Sequence, residues 1–225
     1  VLILAHRGAC GVFRENTVEA FSEVRRVGAD GVELDVRCSS DGALVVHHDV
    51  AVAGLGPIAA LRAAELPSYV PLLDSAIDAC GDLVVNVELK DLPGEPGYNI
   101  GYPLALRVAR FVADRALAGQ VIVSSFDLKA LDAAVAAEPS VVTGWLTPSW
   151  FDQADALHTL IERGHRGFHP HDDAVTESLV AAAHEGGVRV AAWTVDDPAR
   201  IRQLAEWGVD MIITNVAEAA RAALS

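Results

Sequence analysis

Short runs rich in Val, Ile and Leu alternate with amphipathic stretches along the whole chain. The runs lie at Val1–His6, Val32–Val36, Leu44–His47, Leu83–Leu89, Val121–Ser124, Val141–Leu146, Gly167–His169, Val188–Val195 and Met211–Thr214. Most are continuous in apolar character, the pattern of strands buried on both faces. The stretches between them read as helices: Thr17–Val27, Leu72–Ala79, Pro103–Ala116, Leu128–Ala137, Asp155–Arg163, Thr176–Glu185, Pro198–Glu206 and Ala217–Leu224. Asn16 or Thr17 can cap the first helix, and Gly28 follows its last turn. Pro103 and Pro198 sit near helix starts, while Gly164, Gly186 and Gly208 punctuate helix ends.

Nine runs are one too many for an eight-stranded barrel. Only Arg37–Ala43 separates Val32–Val36 from Leu44–His47, whereas parallel neighbours need a crossover of about a dozen residues or more. These two runs therefore predict an antiparallel hairpin, with Ser39–Gly42 as its turn. The other runs form eight β–α units. The expected fold is α/β, a (β/α)8 TIM-type barrel with a short antiparallel hairpin after the second strand. One barrel domain over 1–225 is expected. Ala51–Pro71 is a short insertion with one helix near Ile58–Glu65, and Asp91–Gly101 sits over the barrel mouth.

Composition narrows the function classes. The 225 residues are 52% hydrophobic, enough for a sizeable core and too apolar for disorder. Seventeen basic residues against thirty-one acidic ones give a net charge of -14. That balance excludes a general nucleic-acid binder and a polybasic membrane patch. No apolar stretch approaches the roughly 18–20 residues of a membrane span, so stable membrane insertion is not expected. Cys10, Cys38 and Cys80 are few and widely spaced, as reduced thiols are. Val1 is not a start methionine, which is compatible with a removed leader. A cytoplasmic location is the expectation, with secreted or periplasmic placement open, as is the oligomeric state.

Barrels of this kind carry chemistry at the C-terminal ends of their strands. The polar residues expected there include His6 and Arg7, Glu33 and Asp35, His47 and His48, Glu88 and Lys90, Ser124 and Ser125, His169, Trp193 and Asn215. Glu33 and Asp35 are two apart on one strand and share a face, as do Glu88 and Lys90. Three carboxylates facing one interior disfavour each other's ionisation. A hard divalent cation with oxygen ligands, Mg2+ or Ca2+, resolves this. An internal ion-pair cluster with Lys90 and Arg7 is the structural alternative. His6 and one of His47 and His48 can supply a general base and a general acid. Strand parity leaves the choice within that pair open.

Several motifs follow one another in a recognisable order. They are His6-Arg7-Gly8, Glu15-Asn16-Thr17, Gly28-Ala29-Asp30, Glu33-Leu34-Asp35-Val36, Asp41-Gly42 and His48-Asp49. Later come Glu88-Leu89-Lys90, Ser124-Ser125-Phe126, Trp193-Thr194-Val195 and Gly208-Val209-Asp210 through Thr214. With these motifs the chain resembles the glycerophosphodiester phosphodiesterase family over nearly its whole length. The resemblance implies hydrolysis of a small-molecule glycerophosphodiester to sn-glycerol 3-phosphate and an alcohol. It implies Glu33, Asp35 and Glu88 as divalent-metal ligands, His6 and His48 as the catalytic pair, and Arg7 and Lys90 as phosphate contacts. It further implies attack of the glycerol 2-hydroxyl on phosphorus, giving a cyclic phosphate that water opens.

Three features depart from the family pattern. Ala51–Pro71 is shorter than the usual insertion, which is expected to open the site. Ala51–Gly56 lacks the usual Arg- and Thr-rich continuation. Asn215 stands where an aspartate is common, a change expected to affect the barrel end and not the chemistry.

Other residues are candidates of lower rank. Trp193 is expected to wall the glycerol carbons, with core packing as the alternative. His169 through Asp173 is read mainly as a polar loop, with a second metal site as the sharper alternative and His169 best placed to reach the mouth. Two other functions stay in view: a lysophospholipase D, which needs an apolar groove beside the mouth, and a non-catalytic phosphodiester-binding barrel.

Overall fold

A computed structural model describes residues 1–225. Its strands are β1 (Leu2–His6), β2 (Gly31–Cys38), β3 (Leu44–Val46), β4 (Ala51–Val52), β5 (Gly56–Pro57), β6 (Val84–Leu89), β7 (Val121–Ser125), β8 (Val142–Thr147), β9 (Gly167–Pro170), β10 (Arg189–Ala192) and β11 (Met211–Thr214). The helices are α1 (Val18–Ser22), α2 (Leu73–Cys80), α3 (Pro103–Asp114), α4 (Leu128–Ala137), α5 (Gln153–Glu162), α6 (Glu177–Glu185), α7 (Pro198–Glu206) and α8 (Ala217–Ala223).

Eight parallel strands close into a barrel in the order β1, β2, β6, β7, β8, β9, β10, β11, and β11 pairs back onto β1. β3 runs antiparallel to the end of β2, with Val36 opposite Val46 and Cys38 opposite Leu44. The two-residue periodicity of β2 sorts its side chains. Val32, Leu34 and Val36 join the apolar layer between strands and helices, leaving Glu33 and Asp35 on the barrel's inner face. The helices bury one stripe each, as α3 does with Leu104, Ala105, Val108, Ala109 and Val112.

Two expectations need correction. The helix expected over Thr17–Val27 is regular only from Val18 to Ser22, capped by the Thr17 hydroxyl. Beyond it, Val24 and Arg26 donate to carbonyls three residues back, so the chain tightens into turns before Gly28. The single helix expected near Ile58–Glu65 is instead two 3-10 turns, Ile58–Ala60 and Ala63–Glu65, which follow the small β4–β5 hairpin. Between the turns, Leu61 and Arg62 are extended. Partners in the β2–β3 turn win the backbone there: Ser40 N donates to Leu61 O at 2.8 Å, and Ala63 N donates to Asp41 Oδ1 at 3.1 Å. No helix is long and apolar enough to cross a membrane.

Candidate active site

Strand register assembles the acidic group. His6 lies beside Glu33 across β1 and β2, and Asp35 lies beside Glu88 across β2 and β6. One carboxylate oxygen from each of Glu33, Asp35 and Glu88 falls within 4.8 Å of the others, and all three residues are buried. The two expected cations stand among them. Lys90 Nζ is 2.6 Å from Glu88 Oε1 and 3.2 Å from Asp35 Oδ1. Arg7 Nε is 3.3 Å from Asp35 Oδ2, and Arg7 N donates to Glu33 Oε2 at 3.1 Å.

Their surroundings shift the three carboxyls in different directions. Burial pushes Asp35 up, but Lys90, Arg7 and the Asn16 bond outweigh it and hold its carboxyl below the ordinary value. Glu33 is raised well above the usual range, first by burial and then by Asp35 and Glu88. Glu88 is pushed up to about 7. Its contact with Lys90 has opposite outcomes at the two ends. The ammonium is shifted upward, as an ion pair should shift it, while the carboxyl rises because burial outweighs its partner. Lys90 and Arg7 thus neutralise only part of the group.

Glu33 Oε1 is buried without a hydrogen-bond partner. Asp35 Oδ1 and Glu88 Oε1 meet Lys90 as ion pairs but not with hydrogen-bond geometry. An oxygen-only donor set with surplus negative charge fits a hard dication. Both readings of the carboxylates therefore have a physical basis here: the ion pairs form, and they leave an anionic remainder.

The imidazoles flank this group. His6 Nδ1 lies 2.6 Å from Asn215 Oδ1, and its Nε2 lies 3.8 Å from Glu33 Oε2. Burial lowers the His6 pKa, against the Asn215 bond, which raises it. His48 Nδ1 is 3.0 Å from Asp49 Oδ1, and His48 is near enough for its charge to help lower Asp35. His47 uses its backbone N to bond Asp35 O at 2.9 Å.

Trp193 follows β10 and donates from its indole N to His169 O at 2.7 Å. It packs edge-on against Phe126 and His171, with ring centroids 5.4 and 5.0 Å away.

Sequence reasoning assigned three residues too little. Asn16, read as a possible helix cap, is buried and clasps Asp35: its Nδ2 donates to Oδ2 at 2.7 Å, and Asp35 N donates to its Oδ1 at 3.3 Å. Glu15 takes both of its bonds from Arg7 NH1, at 3.0 and 3.1 Å. Asn215 was expected to matter only at the barrel end, yet it bonds His6. The closing threonine was the available signal, since β11 pairs with β1 and brings the residue after Thr214 beside His6.

His169 does not reach the mouth. Its ring is fully buried and packs onto Gly144, where a Cβ would come within 2.3 Å of it. It lines a cavity of about 140 Å3 with Leu2, Val84 and Met211, near the strand starts. Neither ring nitrogen has a partner, and burial lowers its pKa to about 4. His171 turns to the backbone N of Asp173, and no metal-binding group forms in that loop.

Comparison with known proteins agrees with this geometry. The family model described as the glycerophosphoryl diester phosphodiesterase family matches residues 6–219. A glycerophosphodiester phosphodiesterase of Caldanaerobacter subterraneus is 27% identical over 95% of this chain and 93% of its own. The solved glycerophosphodiester phosphodiesterase of Thermotoga maritima superposes with a TM-score of 0.82 at 26% identity, covering 97% of this chain and 96% of that one. A phosphodiesterase of Oleispira antarctica, solved in complex with the product sn-glycerol-3-phosphate, shares the fold with a TM-score of 0.86 at 23% identity, covering 100% and 96%. With nearly its whole length matched by that model, the chain belongs to the glycerophosphoryl diester phosphodiesterase family, and its activity is glycerophosphodiester hydrolysis.

Proposed function

We propose that the hydrolysis depends on a divalent metal held by Glu33, Asp35 and Glu88, with His6 and His48 moving the protons, and that it yields sn-glycerol 3-phosphate and an alcohol. The observation that carries this reading is the group of three buried carboxylates, within 4.8 Å, whose charge Arg7 and Lys90 only partly offset. When bound, the dication supplies Lewis-acid polarisation of a phosphoryl oxygen and offsets the carboxylate charge. Arg7 and Lys90 border the same space and face charge that builds on the phosphoryl oxygens in the transition state.

His6 and His48 differ in the partner at Nδ1. The neutral amide of Asn215 leaves His6 suited to accept a proton from the attacking glycerol 2-hydroxyl. The Asp49 carboxylate orients the His48 ring through Nδ1, and His48 donates a proton to the leaving alcohol oxygen. The roles reverse when water opens the cyclic phosphate. Trp193 serves as the apolar wall for the glycerol carbons, its one polar atom already bonded to His169 O.

Turnover of glycerophosphocholine and related diesters, assayed in EDTA and then with Mg2+ or Ca2+ restored, tests this. Full turnover in EDTA, or in Glu33→Ala, overturns it. A second reading, turnover of lysophospholipids, is favoured by apolar side chains on the βα loops around the mouth. Trp150 is 82%, Ile100 81% and Val12 68% exposed. Comparing water-soluble diesters with lysolipids separates the two readings.

A further inference from the structure

His6 is linked to a residue that neither touches the carboxylates nor belongs to a motif read from the sequence. Asn215 Nδ2 donates to Asp196 Oδ2 at 2.8 Å, and Asn215 N donates to Asp196 Oδ1 at 2.8 Å. The Thr214 hydroxyl adds a third bond to Asp196 Oδ1, at 3.0 Å. Burial opposes the Asp196 carboxylate, yet these bonds together hold its pKa below the ordinary value, so it is ionised and only accepts.

That settles which way the Asn215 amide points. The atom facing an acceptor-only carboxylate must be the NH2 group. The amide oxygen must then face His6, where it lies 2.6 Å from Nδ1. A carbonyl oxygen only accepts, so His6 Nδ1 carries the proton. The Nε2 lone pair is left free on the side of Glu33 Oε2, 3.8 Å away. Cys10 Sγ, at 3.7 Å from the same amide oxygen, is at most a weak second donor.

The geometry points to Asp196 and Asn215 as positioning residues: they lock the His6 tautomer that presents an unprotonated Nε2 to the reacting hydroxyl. The loop after β10 and the ends of β11 and β1 each supply one member. An amide suits the middle position. It holds Nδ1–H without adding a charge, and it gives Asp196 a donor where a second carboxylate would meet it with like charge. The inference rests on the reading of His6 as the proton acceptor.

The test uses the full chain in Mg2+, labelled with 15N at histidine, with the His6 resonances assigned by their loss in His6→Ala. In the wild type the neutral His6 ring is expected to carry its proton on Nδ1. In Asn215→Leu that preference is lost, and kcat falls about 10- to 100-fold with KM changed less than about two-fold. Asp196→Asn frees the amide to rotate and gives a mixture of tautomers with a smaller fall in kcat. Asn215→Asp keeps an acceptor at Nδ1 and is expected to keep the Nδ1 proton, with kcat between those of Asn215→Leu and the wild type because the new carboxylate faces Asp196.

A wild-type ring protonated on Nε2 overturns the inference, as does an unchanged tautomer with unchanged kcat in Asn215→Leu. Because the wild-type spectrum needs no variant to fold, a poorly folded Asn215→Leu does not block the result. Full turnover in His6→Ala would instead overturn the proton-acceptor reading on which the inference stands.

Discussion

The two sides of the barrel mouth are built from the same kinds of residue to opposite effect. On the side of β1, β2 and β6, polar groups converge: His6 meets Asn215, Asp35 is clasped by Asn16, and Lys90 bridges Asp35 and Glu88. On the side of β9 and β10, polar atoms are diverted. Trp193 donates to the His169 backbone, His171 turns to its own loop, and the His169 ring points away from the mouth with no partner. A position at a strand end is therefore not enough to make a site residue. The direction of the side chain and the partner waiting for it decide.

Six substitutions would break or sharpen this contrast. The largest effect is expected from Glu33→Ala, which should lower turnover by about a thousand-fold or more, since it removes one of the three carboxylates proposed to hold the metal. Mg2+ is expected to raise the melting temperature of the wild type, and the same variant should lose that rise. A variant that still gains stability from Mg2+ would remove Glu33 from the ligand set.

His6→Ala and His48→Ala should each lower turnover by about 100- to 1,000-fold. On the other side, His169→Leu should leave turnover within about three-fold. A large loss there would erase the contrast between the two sides.

Stability should respond to pH in opposite directions on the two sides. The unfolded His169 imidazole takes up its proton near 6.5, and the folded one near 4. The unfolded chain thus binds more protons in that window, and stability falls as pH drops from about 6.5 to about 4, by up to roughly 3 kcal/mol. His169→Leu should flatten that slope in urea titrations. Glu88 behaves oppositely, with a folded value near 7 against 4.5. In EDTA the folded state holds its proton longer, so stability should fall as pH rises from about 4.5 to 7, and Glu88→Gln should remove this. A chelated protein with no such fall would show that Lys90 alone suffices for Glu88.

The smallest effect is expected for Trp193→Leu. Losing the edge-on contacts to Phe126 and His171 should cost about 1–2 kcal/mol of stability, and KM should rise a few-fold. An unchanged KM would leave Trp193 with packing alone.

Much of this arrangement is legible in one dimension. Nine apolar runs, and a gap between two of them too short for a crossover, lead to eight parallel strands and one hairpin. The spacing of Glu33 and Asp35 places both on one face of a strand. The helix near Ile58–Glu65 is misread because its rivals, Ser40 N and the Asp41 carboxylate, are about twenty residues away and invisible to local propensity. Asn16 and Asn215 are undervalued for the same reason: asparagine beside a helix start or a strand end is ordinary until its partner is known.

The sequence by itself determined the order of elements, the two-residue periodicity of β2 and the identity of the charged groups at the strand ends, because these depend on neighbours along the chain. Only the tertiary structure decided which of those groups meet. Register set Asp35 beside Glu88, and barrel closure brought Asn215 to His6. It also turned His169 inward, where Gly144 leaves room for the ring. Contacts of this kind join residues up to about two hundred positions apart, and closing the barrel is the physical event that makes them neighbours.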